Sequence, residues 1–271
     1  MITSTTLGPA ASAPIAAADP SRYDAGDLRH PGAQARMRQL LAREGLAIFR
    51  GARNRAEVLM AAGTMMTVLP HPDSGPDGIT AITDLGAAGE HPGAAGFSRR
   101  ELAAHTDRSG VPAPPALLMT VCARPAHAGG ASMLTDGQAV HAELAATSPQ
   151  ALAALTRPRS VLFGGAGGHL GAVLTAIPAT AASPARLHLR LRLDDLVTFA
   201  SDLLTHLPVL RVVIARRTMT VPLGAGQGYI LDNHRWLHAR EQFTGTRTLY
   251  RVLGDPLPSL GLHPGIPQHT P

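Results

Sequence analysis

The chain has 271 residues, 45% of them hydrophobic and 16% charged, which is the composition of a soluble globular protein. Its 24 basic residues are all arginines, scattered along the chain, and only 3% of the residues are aromatic. Nucleic-acid binding is therefore not expected, because a basic stripe and a reader motif are both missing. The N-terminus lacks a secretory-signal pattern and no apolar run is long enough for a membrane span, so we expect a cytoplasmic protein without a membrane partner.

The first hundred residues alternate between predicted helices and irregular segments. Residues 1–30 are rich in Ala, Pro and Ser and predict a loosely ordered lead-in. Residues 31–45 have helical periodicity that ends at a glycine, residues 46–51 predict a short buried strand, and residues 55–69 predict a second helix. Residues 70–98 hold many Gly, Pro and Asp, which predicts a long loop that could cover a functional site.

Strand patterns dominate from residue 116 onward. The predicted strands lie at 116–123, 131–136, 160–164, 185–193, 218–223, 226–233 and 247–254. Helices are predicted at 137–157, with a break at Pro149, and at 195–216. The Gly-, Ala- and Pro-rich connector at 164–185 is a second candidate lid.

This order of elements has no strand–helix–strand rhythm, which favours an α+β fold with a double-sheet β-roll and helices outside it. We expect residues 31–260 to form a single domain and residues 261–271 to be a C-terminal tail. The pattern does not indicate the oligomeric state.

Three H-x-[DE] triplets are candidates for a metal site. They are His71-Pro72-Asp73, His105-Thr106-Asp107 and His141-Ala142-Glu143, whereas 13 histidines and 19 acidic residues would give about one by chance. The first lies in a loop, and the third lies in a predicted helix where positions i and i+2 point in different directions. The second precedes a buried strand, and in an extended segment i and i+2 project to one side. We therefore favour His105 and Asp107 as ligands.

A second polar cluster lies near the C-terminus, in the stretch GYILDNHRWLHAREQFTGTRTLYRV. His238 follows one predicted strand, and Arg247 and Arg251 lie four positions apart on the return strand, on the same face. The planar guanidinium group binds carboxylates with two parallel hydrogen bonds. This hairpin therefore predicts an anion pocket beside a metal ligand.

These motifs together resemble a known enzyme family. The HTD triplet before PPALLMTV, then RPAHAGGASMLTDG, and finally LDNHRWLHAR…FTGTRTLYR are similar to the Fe(II)/2-oxoglutarate-dependent dioxygenases, in particular the taurine dioxygenase and clavaminate synthase-like group. The resemblance runs from about Gly45 to Gly254. It implies a double-stranded β-helix (jelly-roll) core with flanking helices.

The resemblance implies that His105, Asp107 and His238 bind an Fe(II) ion and form the catalytic centre. Two histidines and one carboxylate on one face of an octahedron leave three positions free, the arrangement used by non-haem Fe(II) oxygenases. 2-Oxoglutarate and O2 would be the cosubstrates.

The resemblance also implies residues for the cosubstrate and the substrate. Arg247 matches the arginine that binds the distal carboxylate of 2-oxoglutarate, and Ser132 lies where the family commonly has a threonine that helps it. Arg251 matches a second arginine near the acidic groups of cosubstrate and substrate. Arg192 and Asp194 match a segment that contacts substrate in related enzymes acting on amino acids, although a solvated strand face is the alternative reading of these two side chains.

The implied activity is hydroxylation of a small molecule with release of succinate and CO2; desaturation or epoxidation would use the same oxidant. The substrate class implied is an amino acid or an amino-acid-derived intermediate of secondary metabolism, such as antibiotic biosynthesis. Two alternatives stay open at this point. One is a cupin-type metal enzyme that does not use 2-oxoglutarate, and the other is a non-catalytic, ligand-binding jelly roll.

Overall fold

The computed structural model describes residues 18–86 and 93–268. The α-helices in these ranges are α1 (Ala33–Glu44), α2 (Arg55–Gly63), α3 (Gly137–Thr147), α4 (Pro149–Leu155), α5 (Ser201–Leu204) and α6 (Leu207–Arg217). The strands are β1 (Asp24–Asp27), β2 (Leu46–Arg50), β3 (Met66–Val68), β4 (Thr80–Thr83), β5 (Leu102–His105), β6 (Leu117–Arg124), β7 (Ala128–Gly129), β8 (Ser132–Asp136), β9 (Val161–Phe163), β10 (His169–Gly171), β11 (Leu174–Ile177), β12 (Arg186–Leu189), β13 (Val197–Phe199), β14 (Thr218–Val221), β15 (Gln227–Asp232), β16 (Trp236–Arg240), β17 (Phe243–Thr244), β18 (Thr248–Pro256) and β19 (Ile266–Pro267). None of the described helices has the length and apolar character required to cross a membrane.

Two sheets form the centre of the fold. The larger has the order β1-β2-β15-β6-β18-β3, with β4 also paired to β18, and the smaller has the order β14-β8-β16-β5. Their facing side chains share one hydrophobic cluster, in which Leu118 and Leu231 of the large sheet join Leu134 and Trp236 of the small one. The α+β class with a two-sheet core and flanking helices is thus confirmed, and the arrangement is that of a jelly roll.

The central strand β6 is buried on both faces, which explains its unbroken apolar sequence. Leu117, Met119 and Val121 pack with the cluster that holds α1 and α2, on the outer face of the large sheet. Leu118 and Thr120 point to the inner face, toward the small sheet. The alternation therefore places a polar hydroxyl inside the fold at Thr120.

The outer face of the small sheet is covered by α3, α4 and α6. Leu237 of β16 packs in one cluster with Val140 and Leu144 of α3 and Leu210 of α6. The strand β16 consequently has its next residue, His238, on the inner face.

Gly45 ends α1 as the sequence predicts and also lets the helix contact the core. It adopts a left-handed conformation with φ 68°, and its N–H donates to the Leu41 carbonyl. A Cβ atom here would lie 3.0 Å from Nε1 of Trp236, which itself donates to the Glu44 carbonyl over 2.9 Å. The glycine is thus required by both the backbone conformation and this close contact.

Both chain ends contribute more structure than the sequence predicts. Of the lead-in expected at 1–30, residues 1–17 lie outside the described residues, but β1 pairs in parallel with β2. The tail expected at 261–271 contains β19, which pairs with β12, and Ile266 is only 1% exposed. Such segments carry little local pattern, because long-range pairing decides their structure.

Tertiary pairing also overrides four internal predictions. The helix expected over 55–69 ends at Gly63, because the following residues pair with β18 as β3. The helix expected over 195–216 begins with β13, which pairs with β9. The connector at 164–185 contains β10 and β11, and the regular strand expected over 185–193 ends at Leu189. Helical and strand periodicity are weak guides when a short segment has a strand partner elsewhere in the chain.

Candidate active site

A cavity of about 420 Å³ lies between the two sheets. Strands β5, β8 and β16 of the small sheet supply one wall, and β6, β15 and β18 of the large sheet supply the other. Loop residues at 71–73, 93–97 and 164–168 complete the rim. Every residue proposed from the sequence for the metal, the cosubstrate and the substrate lines this one cavity.

His105, Asp107 and His238 come together on the small-sheet wall. His238 of β16 is paired directly opposite His105 at the end of β5, and the ring centroids are 4.1 Å apart. Each of the three residues offers a ligand atom, and these atoms lie within 4.8 Å of one another. Among the described residues, no other group of histidine, cysteine and acidic side chains is arranged this way.

Backbone contacts orient two of these three side chains. Nδ1 of His105 lies 2.9 Å from the Ala103 carbonyl, which requires Nδ1 to carry the proton and leaves Nε2 as the metal-binding nitrogen. Asn233 accepts a hydrogen bond from the Asp107 N–H over 2.8 Å and donates to the Asp107 carbonyl and to Pro115. From the sequence, Asn233 is expected to hydrogen-bond the turn after β15; in the structure it fixes the loop that carries Asp107.

The electrostatics of the three groups suit a divalent cation. Burial lowers the pKa of His105, and burial together with the neighbouring His105 lowers the pKa of His238 to about 3. Burial would raise the pKa of Asp107, but Arg251 and the two histidines outweigh it and bring it down to about 2. At neutral pH the site therefore presents two neutral imidazoles and one carboxylate, the donor set that fits Fe(II) in a facial arrangement.

Arg247 lies across the cavity with no countercharge in its surroundings. Its guanidinium is 5.7 Å from the centroid of the Phe243 ring, and the residue is only 4% exposed. Within the described residues it forms no ion pair with a carboxylate and donates to no carbonyl. A buried cation of this kind is costly unless an anion binds it, so the arrangement favours a ligand carboxylate.

Gly130 permits this position of Arg247. It has φ 75°, and a Cβ atom on it would lie 3.1 Å from Cδ and 3.2 Å from Nε of Arg247. Ser132, two residues further on, is 3% exposed and lines the same cavity. The segment GGAS, residues 129–132, thus supplies a hydroxyl to the cavity and leaves room for the Arg247 side chain.

Arg251 lies nearer to the metal ligands than the sequence indicates. Its Nη1 donates to both oxygens of Asp107, at 3.1 and 3.0 Å, and its Nε is buried without a partner among the described residues. The two arginines also do not lie on a hairpin with His238, because β16 belongs to the small sheet and β18 to the large one. They reach one cavity because the sheets face each other.

Arg192 and Asp194 are cavity residues and not a solvated strand face. Arg192 donates to both Asp194 oxygens, from Nε over 2.7 Å and from Nη2 over 2.5 Å, and both side chains are mostly buried. The preceding Arg190 donates to the carbonyls of Ser109 and Val111 and so ties this segment to the loop after Asp107.

Two further residues, which the sequence does not predict as site residues, line the cavity. His71, set aside as a loop residue, lines the cavity, and its Nδ1 accepts the Asp73 N–H over 3.1 Å. Arg240 is 4% exposed and donates to the carbonyls of Gly96 and Ser98. The remaining triplet residue Glu143 pairs with arginines of α6 away from the cavity.

The sequence of this chain matches the model of a known protein family. The sequence model of the family described as "Taurine catabolism dioxygenase TauD, TfdA family" matches residues 6–198, which include His105, Asp107 and Ser132 but not the C-terminal cluster. No curated protein sequence matches the chain.

Solved structures share the fold. An asparagine oxygenase in complex with Fe(II), 2S,3S-3-hydroxyasparagine and succinate is 18% identical, with a TM-score of 0.62, covering 82% of this chain and 78% of that one. The non-heme iron oxygenase OrfP in complex with Fe and alpha-ketoglutaric acid is 18% identical, with a TM-score of 0.63, covering 83% of this chain and 80% of that one.

Proposed function

Because this chain belongs to the TauD/TfdA family of dioxygenases, we propose that it is a non-haem Fe(II)- and 2-oxoglutarate-dependent oxygenase that hydroxylates a small molecule. The observation that carries the proposal is one cavity that holds both a three-ligand cluster and an unpaired buried arginine. The cluster suits the metal, and the arginine suits the cosubstrate.

His105, Asp107 and His238 would hold the Fe(II) ion. When bound, the iron and 2-oxoglutarate supply the oxidising chemistry that activates O2, releases succinate and CO2, and attacks a C–H bond. Asn233 and the Ala103 carbonyl keep Asp107 and His105 in place for this.

Arg247 would bind the distal carboxylate of 2-oxoglutarate, helped by the Ser132 hydroxyl. The guanidinium has no other anion to neutralise it among the described residues, and a charge-assisted pair buried from water is the strongest available contact. Arg251 balances the charge of Asp107 and has its remaining donors free for a carboxylate of the cosubstrate or the substrate.

The substrate is proposed to be an amino acid or an amino-acid-derived intermediate. Two structures that share the fold, with hydroxyasparagine and with hydroxyarginine bound, support this class. Arg192 and Asp194 lie in the cavity wall near His105 and would contact the polar part of such a molecule. Hydroxylation is the proposed outcome, with desaturation and epoxidation as variants of the same chemistry, in a cytoplasmic pathway of secondary metabolism such as antibiotic biosynthesis.

We further propose that residues 31–260 act as one oxygenase domain. The loops at 70–98 and 164–185 would cover the substrate. Cavity-lining residues at 71–73, 93–97 and 164–168 support this role. Gly110 and Gly164 pack so closely that a Cβ on Gly110 would lie 3.2 Å from the Cα of Gly164. This contact joins the loop at 164–185 to the segment that carries Asp107.

The first test is an anaerobic titration with Fe(II) and 2-oxoglutarate. It monitors the weak charge-transfer band at about 500 nm that is typical of such centres. His105→Ala is expected to abolish the band, whereas His141→Ala, in the chance triplet on α3, is expected to retain it. A band that persists in His105→Ala would contradict the proposed iron site.

The second test separates the oxygenase from a cupin-type enzyme and from a non-catalytic binding protein. Arg247→Ala is expected to weaken 2-oxoglutarate binding by at least about 100-fold, because it removes a buried charge-assisted pair. With a panel of amino acids, the wild-type protein is expected to form succinate in step with oxidised substrate. Unchanged affinity in Arg247→Ala, or the absence of succinate with every member of a broad panel, would count against the proposal.

A further inference from the structure

Three buried hydroxyl side chains line the same cavity as Arg247. Tyr229, Thr120 and Ser132 are 3%, 4% and 3% exposed, and all of them line the cavity wall. Thr120, Ser132 and Arg247 are the polar neighbours of the Tyr229 phenol. The Tyr229 phenol lies within hydrogen-bonding reach of the Thr120 and Ser132 hydroxyls, and in the described part of the chain none of the three forms a hydrogen bond with a carboxylate.

The strand register explains why these groups converge. Tyr229 of β15 lies directly opposite Thr120 of β6, and Thr120 lies opposite Arg251 of β18 on its other side. Residues paired in this way project to the same face of a sheet, so the row faces the small sheet, where Ser132 is located. The phenol is thus held in place by both neighbouring strands and by its position in the core.

The cluster has the composition of a carboxylate-binding pocket. It combines one buried guanidinium with three hydroxyl donors, and the nearby carboxylate of Asp107 is already paired with Arg251. A carboxylate offers two oxygens with about four acceptor sites, which a guanidinium and one serine do not fill. The additional hydroxyls of Tyr229 and Thr120 match the remaining acceptor capacity.

On the basis of the proposed function, we propose that Tyr229 binds the distal carboxylate of the 2-oxo acid cosubstrate, together with Arg247 and Ser132, and so selects a dicarboxylate. Thr120 accepts from or donates to the phenol and orients it. A 2-oxo acid of the same chain length without the distal carboxylate would leave these donors unsatisfied, which disfavours its binding.

The test compares 2-oxoglutarate with 2-oxovalerate, which has the same number of carbon atoms but ends in a methyl group. Dissociation constants come from anaerobic titration of the Fe(II)-loaded protein, so the measurement does not depend on turnover. Tyr229→Phe removes a single oxygen atom and is expected to weaken 2-oxoglutarate binding by about tenfold, with 2-oxovalerate unchanged. Tyr250→Phe is the matched control, because Tyr250 packs on the opposite face of β18 beside Arg55.

Each outcome bears on the inference. Equal weakening of both acids in Tyr229→Phe would show that the ring only packs, and unchanged 2-oxoglutarate affinity would also overturn the proposal. If Tyr229→Phe does not fold, Thr120→Val serves instead, and it is expected to give a smaller loss that is again confined to 2-oxoglutarate. A wild-type protein that binds neither acid would overturn the proposed function itself, and this inference with it.

Discussion

The Arg251 guanidinium pairs with the Asp107 carboxylate, with Nη1 at 3.1 and 3.0 Å from its two oxygens. Both side chains are about nine-tenths buried. A buried carboxylate without a partner would be strongly destabilising, so the arginine allows the ligand cluster to fold before iron binds. A bound cation would take over part of this role, because it supplies positive charge to the same carboxylate.

Replacing Arg251 by alanine should therefore destabilise the metal-free protein by about 3 kcal/mol, since the charge of Asp107 loses its partner in the interior. Addition of Fe(II) under anaerobic conditions should restore more stability to Arg251→Ala than it adds to the wild type. Urea unfolding with and without the metal measures both effects.

Arg235→Ala provides the matched control for that experiment. Arg235 forms a similarly buried pair with Asp136, at 2.9 and 2.7 Å, where β8 ends and α3 begins. Loss of this pair should destabilise the protein, and Fe(II) should restore no more stability to Arg235→Ala than it adds to the wild type. Equal recovery by metal in both variants would show that Arg251 is not coupled to the metal site.

Gly130→Ala should impair cosubstrate binding through Arg247. The new Cβ would lie 3.1 Å from Cδ of Arg247, and the φ of 75° is unfavourable for alanine. We expect 2-oxoglutarate affinity to fall by about tenfold, while the Fe(II) affinity measured without cosubstrate is retained. Gly165→Ala, at a left-handed glycine with no atom within 4 Å, controls for backbone strain alone. Equal losses in the two variants would exclude displacement of Arg247 as the cause.

Asn233→Ala should weaken metal binding because the side chain holds both the N–H and the carbonyl of Asp107. Leaving these buried groups unpaired is expected to cost about 3 kcal/mol of folding free energy and to lower Fe(II) affinity by about 10–100-fold. Asn54→Ala removes a different side-chain-to-backbone bond, the N-cap of α2 to Glu57. It should cost about 1 kcal/mol and leave metal affinity unchanged. An unaltered Fe(II) affinity in Asn233→Ala would contradict this positioning role.

Acid should destabilise the metal-free protein through its buried histidines. Burial, followed by the adjacent His234, lowers the pKa of His188 to about 4, from the ordinary histidine value of 6.5. Between these values the unfolded chain binds more protons than the folded one, so this contribution to stability is complete above pH 6.5 and is lost as pH falls toward 4.

Burial raises the pKa of Asp232 to about 6, so this carboxyl gives stability an opposite dependence on pH over the same range. The contribution of His188 is therefore measured by comparing variants. His188→Gln should show a shallower fall in the urea midpoint from pH 7 to 4.5 than the wild type, and the exposed His30→Gln should show the same fall as the wild type. A parallel pH dependence in all three proteins would refute the assignment to His188.

The residues predicted for the site carry two kinds of signal in the sequence. His105 and Asp107 are two positions apart, so local geometry and motif resemblance suffice to pair them, and Arg247 is recognisable from the motif around it. Tyr229 and His71 have no such signal. A tyrosine inside an apolar strand and a histidine in a Gly- and Pro-rich loop are ordinary in sequence, and they become notable only when the cavity is present.

By itself, the sequence determined the α+β class, the buried central strands and the short-range HTD motif, because these follow from side-chain periodicity and from positions two residues apart. Only the tertiary structure decided that His238 lies opposite His105, that Arg251 contacts Asp107, and that Tyr229 lies opposite Thr120. The physical reason is that strand register and the packing of two sheets depend on contacts more than a hundred residues apart. No local pattern specifies those contacts, and they define the cavity in which the chemistry would occur.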